Sequence, residues 1–282
     1  MARSPSSSVQ AAREAVAARL REIRLDAGLT ARQVALQAGW HPSKSSRIEN
    51  GVTPPSDADI RAWCGICGAK EQAADLIAAS RSAESMYVEW KRVQRTGLRR
   101  LQESYVPLFE RTRIFRIYCS NVVPGLLQTP AYATALLSEI TDFRGTPNDV
   151  AEAVAARMDR ARVLREGDHR FAILVEEAVL RYRMGNAEVM AGQLGHLLSI
   201  MSLPAVSLGV VPFSAERGMW PLETFSIYDN DQVQMELLTA AVNVTAPSEI
   251  AQYVKAFSRA AELAVYGADA RALITDAIGA LG

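Results

Sequence analysis

The sequence predicts an α+β fold that is mostly α: an all-α N-terminal domain, a helical linker and an α+β C-terminal domain. Three observations carry this. Up to Gly68 the chain breaks into four short stretches of helical periodicity, separated by turns that hold Gly or Pro. Residues 71–104 contain no Pro and one Gly among many Arg, Glu, Ala and Gln, which reads as one or two long helices. After Pro107 alternating apolar stretches rich in Ile, Phe, Val and Tyr appear between helical ones.

Each element has a local reason. Residues 1–10 are small and polar and read as a flexible tail. Val16, Leu20 and Ile23 fall on one face of a helix over 12–27, which Gly28 ends. Thr30 caps a second helix over 31–38, with Gln33 at capping-box spacing, and Gly39 closes it. His41-Pro42 opens a third helix, because proline suits the first helical position, and Asn50-Gly51 stops it. Ser56 caps a fourth helix that carries Ile60, Trp63, Cys64 and Cys67 and ends at Gly68. In the second half, strands are expected over 113–119, 170–175 and 206–212. A hairpin joins 225–228 to 233–237 around Asp229-Asn230-Asp231. Helices are expected near 131–140, 148–166, 178–183 and 188–201, and from 248 to the end with a break at Gly267.

Composition excludes several classes. The chain has 282 residues, 49% apolar and 22% charged, enough to bury a core without staples and too apolar for disorder over most of its length. No apolar run approaches the roughly 18 residues of a membrane span, and Met1–Ser8 lacks the apolar run of a secretory signal. Three cysteines are too few for a disulfide framework and point to a reducing compartment, the cytoplasm. Net charge is zero but uneven. Residues 1–104 carry 16 Lys and Arg against 11 Asp and Glu, and residues 105–282 carry 15 against 20. A basic front end on a more acidic domain hints at a polyanion-binding N-terminus.

The second and third helices meet at Gly39-Trp40-His41, where a steep crossing needs a residue free to take positive φ. Val34, Ala35 and Ile48 supply the apolar lock. One face of the third helix is left with Ser43, Lys44, Ser46 and Arg47, short donors and two cations suited to base edges and phosphates in a major groove. The bland reading is a small helical bundle with a solvated face.

Leu29–Gly51 (LTARQVALQAGWHPSKSSRIENG) resembles the helix–turn–helix of phage-repressor-like, xenobiotic-response-element-type regulators. The resemblance implies that Ser43 and Arg47 face bases, that His41 and Asn50 lie near phosphates, and that Arg24 and Glu49 form an internal ion pair. Where such domains carry Gln after the capping Thr, this chain has Ala31, so that contact does not carry over. Val123–Ala133 (VPGLLQTPAYA), Glu176–Gly185, Gln193–Leu198 and Val210–Phe213 resemble the C-terminal domain of WhiJ-like actinobacterial regulators. That resemblance implies a small partner protein encoded nearby and says little about C-terminal mechanism.

Competing chemistry is thin. Cys64-Gly65-Ile66-Cys67 is a lone CxxC; a structural zinc site needs four ligands, and Cys119, His41, His169 and His196 are scattered, so core packing is expected. Glu176 and Glu177 are adjacent at a strand end and point to opposite faces, which suits a cap or an ion pair better than a shared acid–base site. The loop 216–223, with Met219 and Trp220, is a candidate contact loop. No phosphate-binding glycine loop or nucleophile elbow is present.

The expected organisation is a tail (1–10), a helix–turn–helix domain (11–70), a helical linker (71–104) and an effector- or partner-binding domain (105–282). The expected function is sequence-specific binding of a double-stranded DNA operator as a homodimer, without catalytic residues, metal or cofactor. An antitoxin-like interaction module is the alternative, and an enzyme in the C-terminal half is the weaker third.

Overall fold

The structure is a computed structural model that describes residues 5–82, 87–90 and 94–282. The chain separates into two compact units, Met1–Tyr87 with Asn243–Ala251, and Val88–Val242 with Gln252–Gly282.

The first unit holds α1 (Pro5–Asp26), α2 (Ala31–Gln37), α3 (Pro42–Glu49), α4 (Asp57–Ile66) and α5 (Ala73–Ser82). Val16, Leu20 and Ile23 of α1 are buried with Val34, Ile48, Ile60 and Trp63 in one core. Each such aliphatic side chain removed from water contributes about 1.5–3 kcal/mol. Trp63 is fully buried, and its indole N–H donates to the Leu20 carbonyl at 3.0 Å, so the ring brings no unpaired donor inside.

Two expectations are corrected here. The tail reading of 1–10 fails from Pro5 onward, where α1 begins; proline has no N–H to lose and a φ suited to the first turn. Residues 1–4 lie outside the described residues. The long helical linker over 71–104 is also not found. Ala73, Leu76 and Ile77, at i, i+3 and i+4, place α5 in the core of the first unit. Beyond it come a strand, β1 (Tyr87–Glu89), and a short helix, α6 (Arg99–Ser104). Residues 83–86 and 91–93 of that linker lie outside the described residues.

In the second unit, α7 (Val106–Arg111) leads into β2 (Ile114–Cys119). Helices α8 (Pro130–Arg144) and α9 (Val150–Arg160) connect β2 to β3 (Arg170–Glu176). Helices α10 (Glu177–Arg181) and α11 (Ala187–Ile200) connect β3 to β4 (Val206–Val211). These three strands pair in parallel, and helical crossovers are what parallel pairing requires. β5 (Phe225–Tyr228) pairs antiparallel with β2 and with β6 (Gln232–Glu236). With β7 (Ala240–Val244) the seven strands run in the order β1-β7-β6-β5-β2-β3-β4. The chain ends with α12 (Pro247–Leu263) and α13 (Gly267–Gly279). β3 is buried on both faces, which explains its nearly unbroken apolar run. Phe115 and Phe171 stack at 4.6 Å between ring centroids in the middle of this core. The hairpin turns at Asp229, whose φ of 52° is held by its own carboxylate accepting from the Arg113 and Ile114 amides. The architecture is therefore an all-α N-terminal region followed by a mixed sheet with helices, an α+β fold.

Candidate nucleic-acid interface

The α2–α3 corner is set by local chemistry. The Thr30 hydroxyl accepts from the Gln33 amide at 3.2 Å, and Gln33 Oε1 accepts from the Thr30 amide at 2.7 Å, so two N-terminal donors of α2 are satisfied reciprocally. At the other end Gly39 has φ +68°. Its amide donates to the Leu36 carbonyl and the Trp40 amide to that of Ala35, which closes the helix and turns the chain steeply. His41 then caps α3: Nδ1 accepts from the Ser43 amide at 3.3 Å and lies 2.7 Å from Ser43 Oγ.

The turn fixes which side of α3 faces outward. Ser45 and Ile48 point in, and the Ser45 hydroxyl donates to the Ala31 carbonyl at 2.9 Å, tying α3 to the start of α2. Ser43, Ser46 and Arg47 are exposed. Arg47 has no side-chain partner among the described residues. His41 and Asn50 are exposed as well, but both terminate α3; Asn50 Nδ2 donates to the Ser46 carbonyl at 2.7 Å.

Lys44 departs from expectation. Its Nζ lies 2.6 Å from Asp59 Oδ1 and 4.5 Å from the centroid of Trp40, so it braces α3 against α4 although its side chain stays 40% exposed. Asp59 is also the third residue of α4, and its other oxygen accepts from the Ser56 amide at 3.1 Å. Burial would raise the Asp59 carboxyl, but the hydrogen bonds from Lys44 and from Ser56 outweigh it and hold the pKa below 3.8. A partner fifteen residues away on another helix left no mark in the sequence pattern.

Arg24 and Glu49 are paired between α1 and α3 through Arg24 Nε and Glu49 Oε1, with a second contact from Arg24 Nη2 to Oε2 at 3.3 Å. Their side chains are 10% and 9% exposed. Arg24 also donates to the Leu29 carbonyl, so one guanidinium fixes α3 and the α1–α2 turn together. Sequence reasoning missed Arg32. It is the second residue of α2, exposed and without a partner among the described residues. The signal was present, since the Thr30 cap places positions 31 and 32 in the exposed first turn.

Elsewhere the chemistry-bearing residues have structural partners. Cys64 is buried in the first core, where burial and then the neighbouring Cys67 push its thiol up to about 11. Among the described residues no group of three His, Cys, Asp or Glu is placed to hold a metal. Glu176 accepts from Tyr118 Oη at 2.7 Å and pairs with Arg217, whereas Glu177 accepts from the Phe213 amide at 2.9 Å and pairs with Arg181 at 3.0 Å. The adjacent carboxylates therefore serve different contacts. Among the described residues no helix is long and apolar enough to cross a membrane.

Short capped helices that meet at Gly39 and present a polar α3 face define a helix–turn–helix domain, the fold of DNA-binding transcription regulators. Residues 15–77 match the family model described as a helix-turn-helix domain, which supports that class. Residues 103–276 match the model described as a domain of unknown function, DUF5753; this is more than half of the chain, and the chain belongs to the DUF5753 family. No curated protein and no solved structure matches the chain.

Proposed function

We propose that the protein is a sequence-specific, cytoplasmic transcription regulator that binds a double-stranded DNA operator as a homodimer, and whose C-terminal domain works by binding a small protein partner or an effector rather than by catalysis. The observation that carries the DNA half is the orientation of α3: Ser45 and Ile48 are inside, while Ser43, Ser46 and Arg47, whose side chain has no partner among the described residues, are outside. A helix seated this way offers one strong bidentate donor and two adaptable hydroxyls to base edges. Arg32 at the start of α2 adds a cation for phosphate. One headpiece of this size binds weakly, so two copies on half-sites about one helical turn apart supply affinity.

The resemblance to xenobiotic-response-element-type and WhiJ-like actinobacterial regulators supports the same reading and adds the small partner. An antitoxin-like module that mainly holds such a partner is the second reading, favoured by Phe213 and Trp220, which stand 63% and 73% exposed on the segment after β4. Gel-shift titration of the full chain on genomic fragments tests the choice. Operator-selective binding that Arg47→Ala weakens supports the regulator; DNA binding without sequence preference, unchanged in Arg47→Ala, favours the interaction module.

A further inference from the structure

The second unit contains a cavity of about 310 Å³, within the range of small-molecule sites, bounded by α6, α7, α8, α9 and strands β2, β5 and β6. Its polar end is built from α9, where Arg157 and Arg160, at i and i+3, share a helical face. Arg157 Nε donates to Gln102 Oε1 at 3.1 Å, and Nη1 donates to Gln128 Oε1. Arg160 is buried, lies over the rings of Tyr105 and Phe109 at 5.0 and 4.8 Å, and donates from Nη1 to the Gln102 carbonyl at 3.2 Å. Its Nε is buried without a partner. Every recorded hydrogen-bond partner of the two guanidiniums is neutral. Amides and rings hold them in place; among the described residues neither guanidinium is in an ion pair, and the Glu236 carboxylate acts on both only from a distance. Burial, and next the charge of Arg160, holds Arg157 down to about 10.

The rest of the lining fits one occupant. Arg144 also lines the cavity, with its own amide partner in Gln94 at 2.8 Å, and Glu236 is the one carboxylate on the wall among the described residues. Among the described residues Glu236 forms no ion pair with any of the three arginines and acts on them only at longer range. The wall keeps a surplus of two positive charges beside Ile117, Leu137, Ile140, Phe225 and Tyr228. Gly125 of the Val123–Pro130 connector lies against the pair, since a Cβ there would be 3.7 Å from Arg160 Nη2 and 3.9 Å from Arg157 Cζ. Two like charges side by side, preset by neutral acceptors and aromatic rings and facing a partly apolar chamber, are arranged to receive a charge of opposite sign.

We propose that this cavity binds a small organic anion, a carboxylate or phosphate monoester carried on an aromatic body, with Arg157 and Arg160 as its fork. This deepens the effector half of the proposed C-terminal role and rests on it.

The test uses the full chain and 8-anilinonaphthalene-1-sulfonate, an aromatic anion that fluoresces in apolar surroundings. Saturable binding at one site per chain is expected. Displacement by 2-naphthoate and by 2-naphthyl phosphate is expected too, the stronger competitor naming the head group, with none by neutral 2-naphthamide. Arg157→Gln should weaken the probe at least tenfold at an unchanged melting temperature; it is chosen because its side chain is hydrogen-bonded only to other side chains, whereas Arg160 is packed into the core. The displacement series on the native chain needs no variant. No saturable binding, equal displacement by the amide, or an unchanged affinity in Arg157→Gln overturns the inference. A chain that fails these tests but still holds a small protein through its C-terminal domain leaves the partner reading standing and removes only this site.

Discussion

Arg47 is exposed and its side chain has no partner among the described residues, so its proposed contribution is to another molecule. Arg47→Ala should leave the stability within about 0.5 kcal/mol of the native chain, since its side chain is exposed and has no partner among the described residues. It should cost about 1–3 kcal/mol at the operator and relax preference at one base position, read in gel-shift titrations. Lys44 should behave in the opposite way. Its charge is already matched by Asp59 and its ammonium lies over Trp40, so Lys44→Ala should cost about 0.2–1 kcal/mol of stability for a partly exposed pair and leave the salt dependence of DNA binding nearly unchanged. A salt slope reduced by a full phosphate contact would return Lys44 to the DNA face. Asp59 makes the same brace sensitive to acid. Its carboxyl titrates below 3.8 when folded, so its contribution is present above that value and is lost as pH falls through the folded pKa. Asp59→Asn should flatten the fall in melting temperature below pH 4; an equal slope would place the acid sensitivity elsewhere.

At the scale of elements, the ends of helices were legible because their chemistry is local. Thr30 with Gln33, Ser56, Gly28 and Gly39 each act within four residues of themselves, and the structure uses all of them as caps or stops. Of the three parallel strands, β3 was legible because a strand buried on both faces is apolar nearly throughout, and β2 because Ile, Phe and Tyr alternate with polar positions. What was not legible depends on distant partners. The short strand β7 is mostly small residues and gains its identity from pairing alone, and α5 belongs to the first core through contacts no window of sequence contains. Asp149 is another case: its carboxylate accepts from the Leu98 and Arg99 amides at 2.7 and 2.9 Å and so starts α6 from fifty residues away. Gly97 lies just before those amides with φ +103°, and a Cβ there would be 2.2 Å from Asp149 Oδ2. Gly97→Ala should therefore lose the cap and add backbone strain, together on the order of 1–3 kcal/mol, seen as a lower melting temperature. The Arg24–Glu49 strut is the corresponding device in the first unit. Glu49→Ala leaves a nearly buried guanidinium without its acid, which costs roughly 3–5 kcal/mol in fully buried cases. A melting temperature equal to the parent's would mean that the pair carries no stability.

For the whole molecule, acid sensitivity separates the two units. His196 lies on α11 of the second unit, where burial first and the nearby charge of Arg165 second hold its imidazole below 6.5. An unfolded chain takes up that proton near 6.5, whereas the folded one resists it, so acidification from neutrality favours unfolding. His196 therefore costs stability from about pH 6.5 downward until its folded pKa is reached. The Asp59 brace of the first unit is untouched in that range, because its window begins below 3.8. Scanning calorimetry of the full chain should show a melting temperature that declines from pH 7.5 to 5.5 and a separate decline below pH 4. His196→Gln should flatten the first decline and leave the second in place, while Asp59→Asn should do the reverse. If His196→Gln melts with the native slope between pH 7.5 and 5.5, the proton taken up on unfolding belongs to another group, and the environment assigned to α11 is wrong.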